Sequence, residues 1–549
     1  MMYRALFRKL MFVQALSILS TTVAVIIDSS ITSLFLGQAA LSAAGIVMPL
    51  VQFFATIGGS VAVGFQTVVA RKLGQGDSDG ASALFNFILI FTLFLSAVSA
   101  ICVIFLSGPL AELLGTTRGT YEYTQAAGYL KGYAIGIPAY SLMLLLTPVM
   151  FIDSDKNRVA AATLLMVVVD ILLDLLNVFA IKQEMFGMAA ASSVSYMVSA
   201  GVLLLHFTKK GTAVSLNPRS AKPNALGAIA QNSTSYTIYH ICKSALTFCV
   251  NRLLIAFGKP EEVAVYAALS SLALLLTSVG SALGSVTLSF SSLFHGESDI
   301  SRERQLRRTF TRYSLTVSGT IAVIVFIFAP FIARLFIRVA SPQFNSCVAG
   351  LRLLGLSLAL NSVNNCYRNY FQGIAELGRS LAVCILQYLA APVCALFVIL
   401  QTGGRIWIWL FYIVAELMTF LVVMRLRGNR KEPVQLDAEI LIGNTGRIPA
   451  SIDTLRQILS DNGITAARMQ CVNDVLNAAA ALCAEENQRK SKLNLRAYEL
   501  GSELKCSIET NLADQDGRLK QLALADHAMT TYSEVFGLKR VIMGGLRND

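Results

Sequence analysis

Long apolar stretches interrupt this chain so regularly that a membrane-embedded bundle of helices is the fold that best accommodates them. Runs such as 85–108 and 314–333 are long enough to cross a hydrocarbon core of about 30 Å at about 1.5 Å per residue. Only 14% of the 549 residues are charged, whereas soluble domains carry about 25%. Because lipid cannot satisfy an open backbone, each stretch is predicted to be a helix.

Twelve such segments are predicted, so the chain is expected to be an all-α, multi-pass membrane protein. Their expected positions are 10–36, 44–70, 82–107, 128–151, 159–181, 187–207, 228–257, 262–289, 313–338, 347–371, 380–401 and 406–426.

Lysine and arginine collect on one side of the predicted membrane, in the loops near 71–72, 156–158, 209–222, 302–308 and 425–431. Since basic residues favour the cytoplasm, both termini are predicted to be cytoplasmic, in a bacterial inner membrane. Residues 1–432 carry a net charge of +14 and residues 433–549 one of −2. The basic excess therefore follows from membrane topology, and no nucleic-acid partner is expected; membrane lipids are.

A sequence repeat divides the membrane part. The segment L-G-Q-G-D-S-D from Leu73 returns as L-F-H-G-E-S-D from Leu293, 220 residues later. We therefore predict a six-helix half at 1–215, a parallel six-helix half at 216–432, and a soluble domain at 433–549. Halves related in this way commonly enclose a substrate cavity. A duplication kept only for packing is the alternative.

Three acids stand inside apolar stretches, Asp28 in the first and Asp170 with Asp174 in the fifth. A carboxylate at a helix centre costs about 2.5–3.5 kcal/mol, which suggests that it is used. Asp170 and Asp174 are four residues apart and so share a helix face. With Asn177 and Thr32 as further oxygen ligands, they predict a proton or sodium site if the two helices touch. The alternative is that these acids are paired, for example with Lys131.

The second half offers Asn251 and Gln387 at the corresponding places, so the coupling site is predicted in the first half. For Lys243, His240 and Glu416, packing or snorkelling is the favoured interpretation. The side chains that could line the substrate cavity are Phe53, Tyr140, Met143, Asn251, Asn361 and Asn364.

Several motifs together resemble the multidrug and toxic compound extrusion (MATE) family, particularly its DinF-like bacterial branch, over residues 7–427. They are D-S-S-I-T-S-L-F-L-G-Q-A-A-L-S-A-A-G-I-V-M-P from Asp28, G-Q-G-D at 74–77, and D-I-L-L-D followed by G-M-A-A-A-S from Gly187. The resemblance implies a secondary transporter rather than an enzyme, which exports amphipathic, often cationic compounds in antiport with sodium ions or protons. Asp28 and Asp174 match the family's coupling carboxylates, and Asp170 stands where the family usually has Asn. No cofactor is implied, and no metal beyond sodium at Asp28 and Asp174.

The segment after residue 430 is more polar and is predicted to be a small α/β domain, with a helix at 452–459, strands at 493–500 and 504–512, and a closing helix at 526–541. This order resembles the histidine-kinase-type ATPase domain of anti-sigma factors. The expected nucleotide motifs are replaced by Asn473, Asp474 and Asn477 and by 509–511. We therefore expect a degenerate domain with a regulatory role or a docking role toward a cytoplasmic protein partner; nucleotide binding is the alternative.

Two other functions stay open. A flippase for lipid-linked precursors would have a similar helix count, but it favours a cavity rich in Arg and Lys, which the sequence does not reveal. A membrane-anchored sensor would signal through residues 433–549. Retained transport after deletion of that segment would make it accessory.

Overall fold

The computed structural model describes most of the membrane part and the strands of the tail. The described residues are 2–153, 155–209, 212, 214–223, 225–257, 261–297, 299–334, 343–401, 407–427, 437–442, 457, 493–500, 503–510, 530–535 and 538–547.

All twelve predicted helices are confirmed. The first six are α1 (Met2–Ile31), α2 (Gln38–Gly74), α3 (Ser78–Leu113), α4 (Tyr121–Ile152), α5 (Lys156–Leu176) and α6 (Glu184–Leu204). The second six are α7 (Leu226–Ala256), α8 (Glu261–Gly296), α9 (Ile300–Ala333), α10 (Phe344–Gly373), α11 (Leu377–Gln401) and α12 (Phe411–Leu426). Short π-helical turns extend α1 (Thr32–Leu36) and α5 (Asn177–Ile181), and others lie within α9 (Ser314–Ser318) and α11 (Leu386–Ala390).

Within the described residues, eleven of these helices are long and apolar enough to cross a membrane. The twelfth, α7, carries several serines and threonines together with Lys243 and Arg252, which lower its hydropathy. The chain is a multi-pass membrane protein.

Several helices extend beyond their predicted bounds at one end of the bundle. The helix α3 begins at Ser78 and α9 at Ile300, because an aspartate caps each start. Asp77 accepts a hydrogen bond from the Gly80 amide (2.8 Å), and Asp299 accepts one from the Arg302 amide (3.0 Å). Polar residues continue these helices past the apolar stretch. We call this end, which carries the α2–α3 and α8–α9 turns, the charged end.

The hydrophobic core differs between the two ends. At the charged end one continuous cluster joins both halves, with Phe7 and Phe65 from the first half packed near Phe290 and Phe371 from the second. At the opposite end each half has a cluster of its own. The two described halves thus share one hydrophobic cluster at the charged end, whereas their clusters at the opposite end are separate.

The tail contains a five-stranded antiparallel sheet in the order β1-β2-β3-β5-β4. Its strands are β1 (Asp437–Ile442), β2 (Leu493–Leu500), β3 (Glu503–Thr510), β4 (Thr530–Val535) and β5 (Leu538–Arg547). The two predicted strands are confirmed as β2 and β3, although β3 ends at Thr510.

The closing helix predicted at 526–541 is wrong, since β4 and β5 form a hairpin there. The β-branched and aromatic residues of T-T-Y-S-E-V suit a strand better than a helix. The helix expected at 452–459, apart from Gln457, and the residues Asn473, Asp474 and Asn477 lie outside the described residues. The α/β domain and its nucleotide-binding ancestry stay predictions.

Candidate ion and substrate sites

Three carboxyl groups of the first half meet where α1 packs along α5. The side chains of Asp28, Asp170 and Asp174 each place a carboxylate oxygen within 4.8 Å of the others. The predicted contact between α1 and α5 is present, and the Thr163 hydroxyl donates to that of Ser17 at 3.3 Å. Because Asp170 and Asp174 lie on one face of α5, both reach Asp28 at once.

Asp170 and Asp174 are buried and Asp28 is half-buried, and all three carboxyl groups are short of donors. Asp174 is 0% exposed and Asp170 5%. Both oxygens of Asp174, and one oxygen each of Asp28 and Asp170, are buried without a hydrogen-bond partner in the described structure. Three negative charges this close in a poorly hydrated site repel one another, and protons or a bound cation would relieve the repulsion. Oxygen-only ligands of this kind suit hard cations.

Side chains from α4 and α6 surround the three acids. The Asp170 carboxyl lies beside the hydroxyls of Ser192 and Ser195. The phenol of Tyr129 lies close enough to interact electrostatically with all three carboxyls. Lys131, considered above as a partner, is exposed, and no ion pair joins it to these acids among the described residues.

The two further predicted ligands lie in the π-helical turns that follow the acids. Thr32 is buried in the first turn, just after Asp28. Asn177 begins the second turn, just after Asp174, but its side chain serves the α5–α6 connection: it donates to the Glu184 carbonyl (2.9 Å) and accepts from the Gln183 amide (3.0 Å). π-Helical turns often mark functional positions, and these two turns follow Asp28 and Asp174 closely in the chain. The roles of Thr32 and Asn177 as ion ligands stay predictions.

The second half contains a buried acid that the sequence analysis assigned to packing. Glu416 of α12 accepts hydrogen bonds from Asn361 (2.7 Å) and Asn364 (2.8 Å) of α10 and from Gln387 of α11 (3.1 Å). Asn361 and Asn364, predicted as cavity residues, are thus committed to this carboxylate in the described structure. Only the packing of three helices brings these four side chains together.

The other predicted cavity residues are spread along the bundle. Tyr140 packs at 4.9 Å from the Tyr196 ring and lies within electrostatic range of Tyr236 on α7, so it faces the second half. Phe53 is mostly exposed and Met143 packs against the core cluster of the charged end. Asn251 lies nearer the opposite end of α7, and its buried side-chain oxygen has no partner among the described atoms.

A basic cluster in the second half joins Lys243 and His240, for which packing or snorkelling was the favoured interpretation, with Arg368, which the sequence analysis did not single out. Arg368 of α10 and Lys243 of α7 approach the same ring, that of Tyr239, at 5.0 Å and 5.5 Å from its centroid. His240 lies within electrostatic range of both cations. The signal in the sequence was the presence of two basic residues in apolar helices, but their meeting depends on how α7 packs against α10.

Comparison with known proteins identifies relatives of the membrane part. The MatE family model matches residues 14–176 and again 236–396. The two matches begin about 220 residues apart, the offset of the sequence motifs.

Two curated relatives match part of the chain. The multidrug export protein MepA of Staphylococcus saprophyticus is 24% identical over 196 residues, which cover 34% of this chain and 42% of MepA. The probable lipid II flippase MurJ of Rickettsia prowazekii is 24% identical over 157 residues, which cover 27% of this chain and 30% of MurJ. The match thus spans less than half the length of either relative.

Solved structures share the fold. An outward-facing multidrug resistance MATE transporter of the MOP superfamily superimposes with a TM-score of 0.70 at 20% identity, covering 77% of this chain and 95% of that structure. The Vibrio cholerae MATE transporter VcmN gives a TM-score of 0.71 at 16% identity and covers 78% of this chain and 98% of its own.

Proposed function

Because the chain belongs to the MatE family, whose members are secondary transporters and not enzymes, we propose that it exports amphipathic small molecules in antiport with protons or sodium ions. The observation that carries this proposal is the buried meeting of Asp28, Asp170 and Asp174. Intramembrane acids without a basic partner mark ion pathways in membrane proteins. We assign the charged end to the cytoplasm of a bacterial inner membrane, because its loops are rich in Lys and Arg.

The helix α1 is the element that would connect ion binding to conformational change. It carries Asp28 near its far end, and near its beginning Phe7 packs at 5.9 Å from both Phe290 and Tyr313 of the second half. A proton or cation that neutralises the acids removes their repulsion and favours close packing of α1 on α5. Ion binding would then favour whichever state of the two halves has α1 packed in this way.

Contacts between the halves support alternating access from an outward-facing state. Near the charged end the Gln66 amide donates to the Ser289 hydroxyl (2.6 Å), and Arg71 donates to the Gly373 carbonyl (3.3 Å). Toward the opposite end the two halves keep separate hydrophobic clusters. Rocking of the halves about such a contact would expose a central site to each side in turn.

A flippase for lipid-linked precursors is the second candidate. The meeting of Lys243 and Arg368 supplies part of the basic cavity that such a ligand would favour. The partial match to the probable lipid II flippase MurJ supports the same candidate.

Export is tested in bacteria that lack their own efflux pumps, loaded in parallel with a cationic rhodamine and an anionic fluorescein dye. Three chains are compared: the parent, the variant Asp174→Asn and the control Asp79→Asn. The control changes an exposed acid at the start of α3. We expect the parent and the control to export at least one dye, and Asp174→Asn to export neither at an equal amount in the membrane. Undiminished export by Asp174→Asn would contradict the assignment of the coupling site, and movement of a lipid-linked diphosphate alone would favour the flippase.

A further inference from the structure

We propose that the second half binds the anionic group of the substrate, a carboxylate or phosphate on an aromatic or apolar body, between Arg368 and Lys243 beside Tyr239. This inference rests on the proposed function, because it assumes a transported substrate. It deepens that function by naming organic anions as the substrates, in place of the cationic compounds implied by family resemblance.

Arg368 is a buried cation with donors to spare. It is 8% exposed, and one of its amino groups donates to the Asn365 side-chain oxygen at 2.8 Å. Asn365 is itself fixed, because its amide donates to the Gly280 carbonyl of α8 at 3.0 Å. The Nε of Arg368 is buried without a partner. A guanidinium cannot lose its charge by deprotonation in a protein, so this site stays positive.

Lys243 and His240 enlarge the positive region. The Lys243 ammonium lies 5.5 Å from the centroid of the ring that Arg368 also approaches. The Nε2 of His240 is buried and has no hydrogen-bond partner among the described residues. Two like charges around one ring repel in a weakly hydrated setting, and an anion between them would reverse that cost.

No acid among the described residues supplies that anion. Within the part of the chain that the structure describes, neither Arg368 nor Lys243 forms an ion pair. The buried acid of the same half, Glu416, is already the acceptor for three amide groups, from Asn361, Asn364 and Gln387. A ligand is therefore the natural partner of the two cations, and Arg in particular matches carboxylate and phosphate with paired hydrogen bonds.

Aromatic rings surround the cations and supply an apolar surface next to them. Tyr388 of α11 packs against Tyr239 at 4.7 Å, and Tyr236 packs against His240 at 4.6 Å. Tyr236 also contacts α2 at Gly59, where an added Cβ would lie 2.7 Å from its phenol oxygen. The site thus adjoins the interface between the halves, where alternating access would open it. Few placed polar groups in an aromatic surround are typical of small-molecule sites.

The arrangement separates the two ligands by charge. The coupling cation is held by the acids of the first half, whereas the substrate anion is held by the basic residues of the second. The ligands do not compete for one carboxylate, so coupling between them runs through the contact of the two halves.

Equilibrium binding tests the charge of the substrate directly. The full chain in detergent is titrated against carboxyfluorescein and rhodamine 6G, which share a xanthene body and differ in charge, with fluorescence anisotropy as the readout. We expect carboxyfluorescein to bind more tightly and Arg368→Gln to weaken it at least tenfold while leaving rhodamine 6G unchanged or tighter. Arg368→Lys, which keeps the charge, should retain part of the affinity.

The matched control is Arg352→Gln, an arginine on the same helix that lies over the Phe326 ring at 5.2 Å instead. This control should leave both affinities unchanged. Competition by benzoate against phenyl phosphate then shows whether the site prefers a carboxylate or a phosphate, and competition by a lipid-linked diphosphate alone would assign it to the flippase candidate.

Tighter binding of rhodamine 6G by the parent, or equal carboxyfluorescein affinity in Arg368→Gln and Arg352→Gln, would overturn the proposal. Its failure is distinguishable from that of the transporter. Anion binding without gradient-driven flux would refute transport and leave the site standing, whereas coupled transport of cationic dyes without anion binding would refute the site alone.

Discussion

Replacing Gly74 by alanine should force the two halves apart at the charged end. A Cβ at this position of α2 would contact the Leu293 carbonyl oxygen and lie 3.2 Å from both the Glu297 amide nitrogen and the Gly296 Cα of α8. All three are backbone atoms, so no side chain can rotate to make room. Overpacking of this kind costs about 1–3 kcal/mol. The gain of about 0.5–1 kcal/mol from alanine in a helix is the same whether the charged end is open or closed, so it does not offset this cost.

The penalty of about 1–3 kcal/mol should shift the population away from the closed charged end by a factor of about 5–150. Hydrogen–deuterium exchange read by mass spectrometry on peptides 66–74 and 289–297 measures this opening without added labels. The control is Gly45→Ala on the same helix, where an added Cβ has nothing within 4 Å. Protection in Gly74→Ala equal to that of the parent and of Gly45→Ala would refute the close packing of α2 on α8.

Three further substitutions have signs that follow from the structure. Glu416→Leu should lower the free energy of unfolding by about 1–3 kcal/mol, because buried amides lose their acceptor. Glu416→Gln should lower it less, and thermal unfolding in detergent compares the two variants. Burial raises the pKa of Asp155, but hydrogen bonds from Lys209 and His206 outweigh burial and lower this pKa to about 2. The stabilisation by the Asp155 carboxylate is therefore complete above the ordinary aspartate pKa of about 3.9 and is lost as pH falls toward 2. The difference in thermal unfolding midpoint between the parent and Asp155→Asn should vanish as pH falls over that interval. A difference that stays constant would contradict this role of Asp155. Asp170→Asn removes one of three clustered negative charges and should raise the cation concentration needed for half-maximal flux, whereas an unchanged value would place Asp170 outside the site.

The membrane helices could be predicted because hydropathy is a local property of the sequence. Their ends could not be placed as well, since the capping by Asp77 and Asp299 extends α3 and α9 beyond the apolar stretch that marks them. In the tail, the prediction of a helix at 526–541 is wrong, because the β-branched residues of this stretch lie in the strands of a hairpin. Strand β5 of this hairpin also pairs with β3, and a pairing between separate segments is not visible in a local pattern.

The two halves differ in how much of their chemistry the sequence reveals. Asp28, Asp170 and Asp174 could be identified because acids are costly in apolar helices and two of them share a helix face. Arg368 and Glu416 could not, because a single long polar side chain in such a helix is also explained by snorkelling. Only the packing of α7, α10, α11 and α12 shows that Arg368 has no acidic partner among the described residues and that Glu416 has three amide donors.

The central claim is that the Asp28, Asp170 and Asp174 cluster couples substrate movement to a cation gradient. The most direct test is dye flux in proteoliposomes under imposed proton and sodium gradients applied separately, for the parent and for Asp174→Asn. We predict flux driven by one of the two gradients in the parent and none in the variant. Flux in the variant that equals that of the parent under the same gradient would contradict the claim.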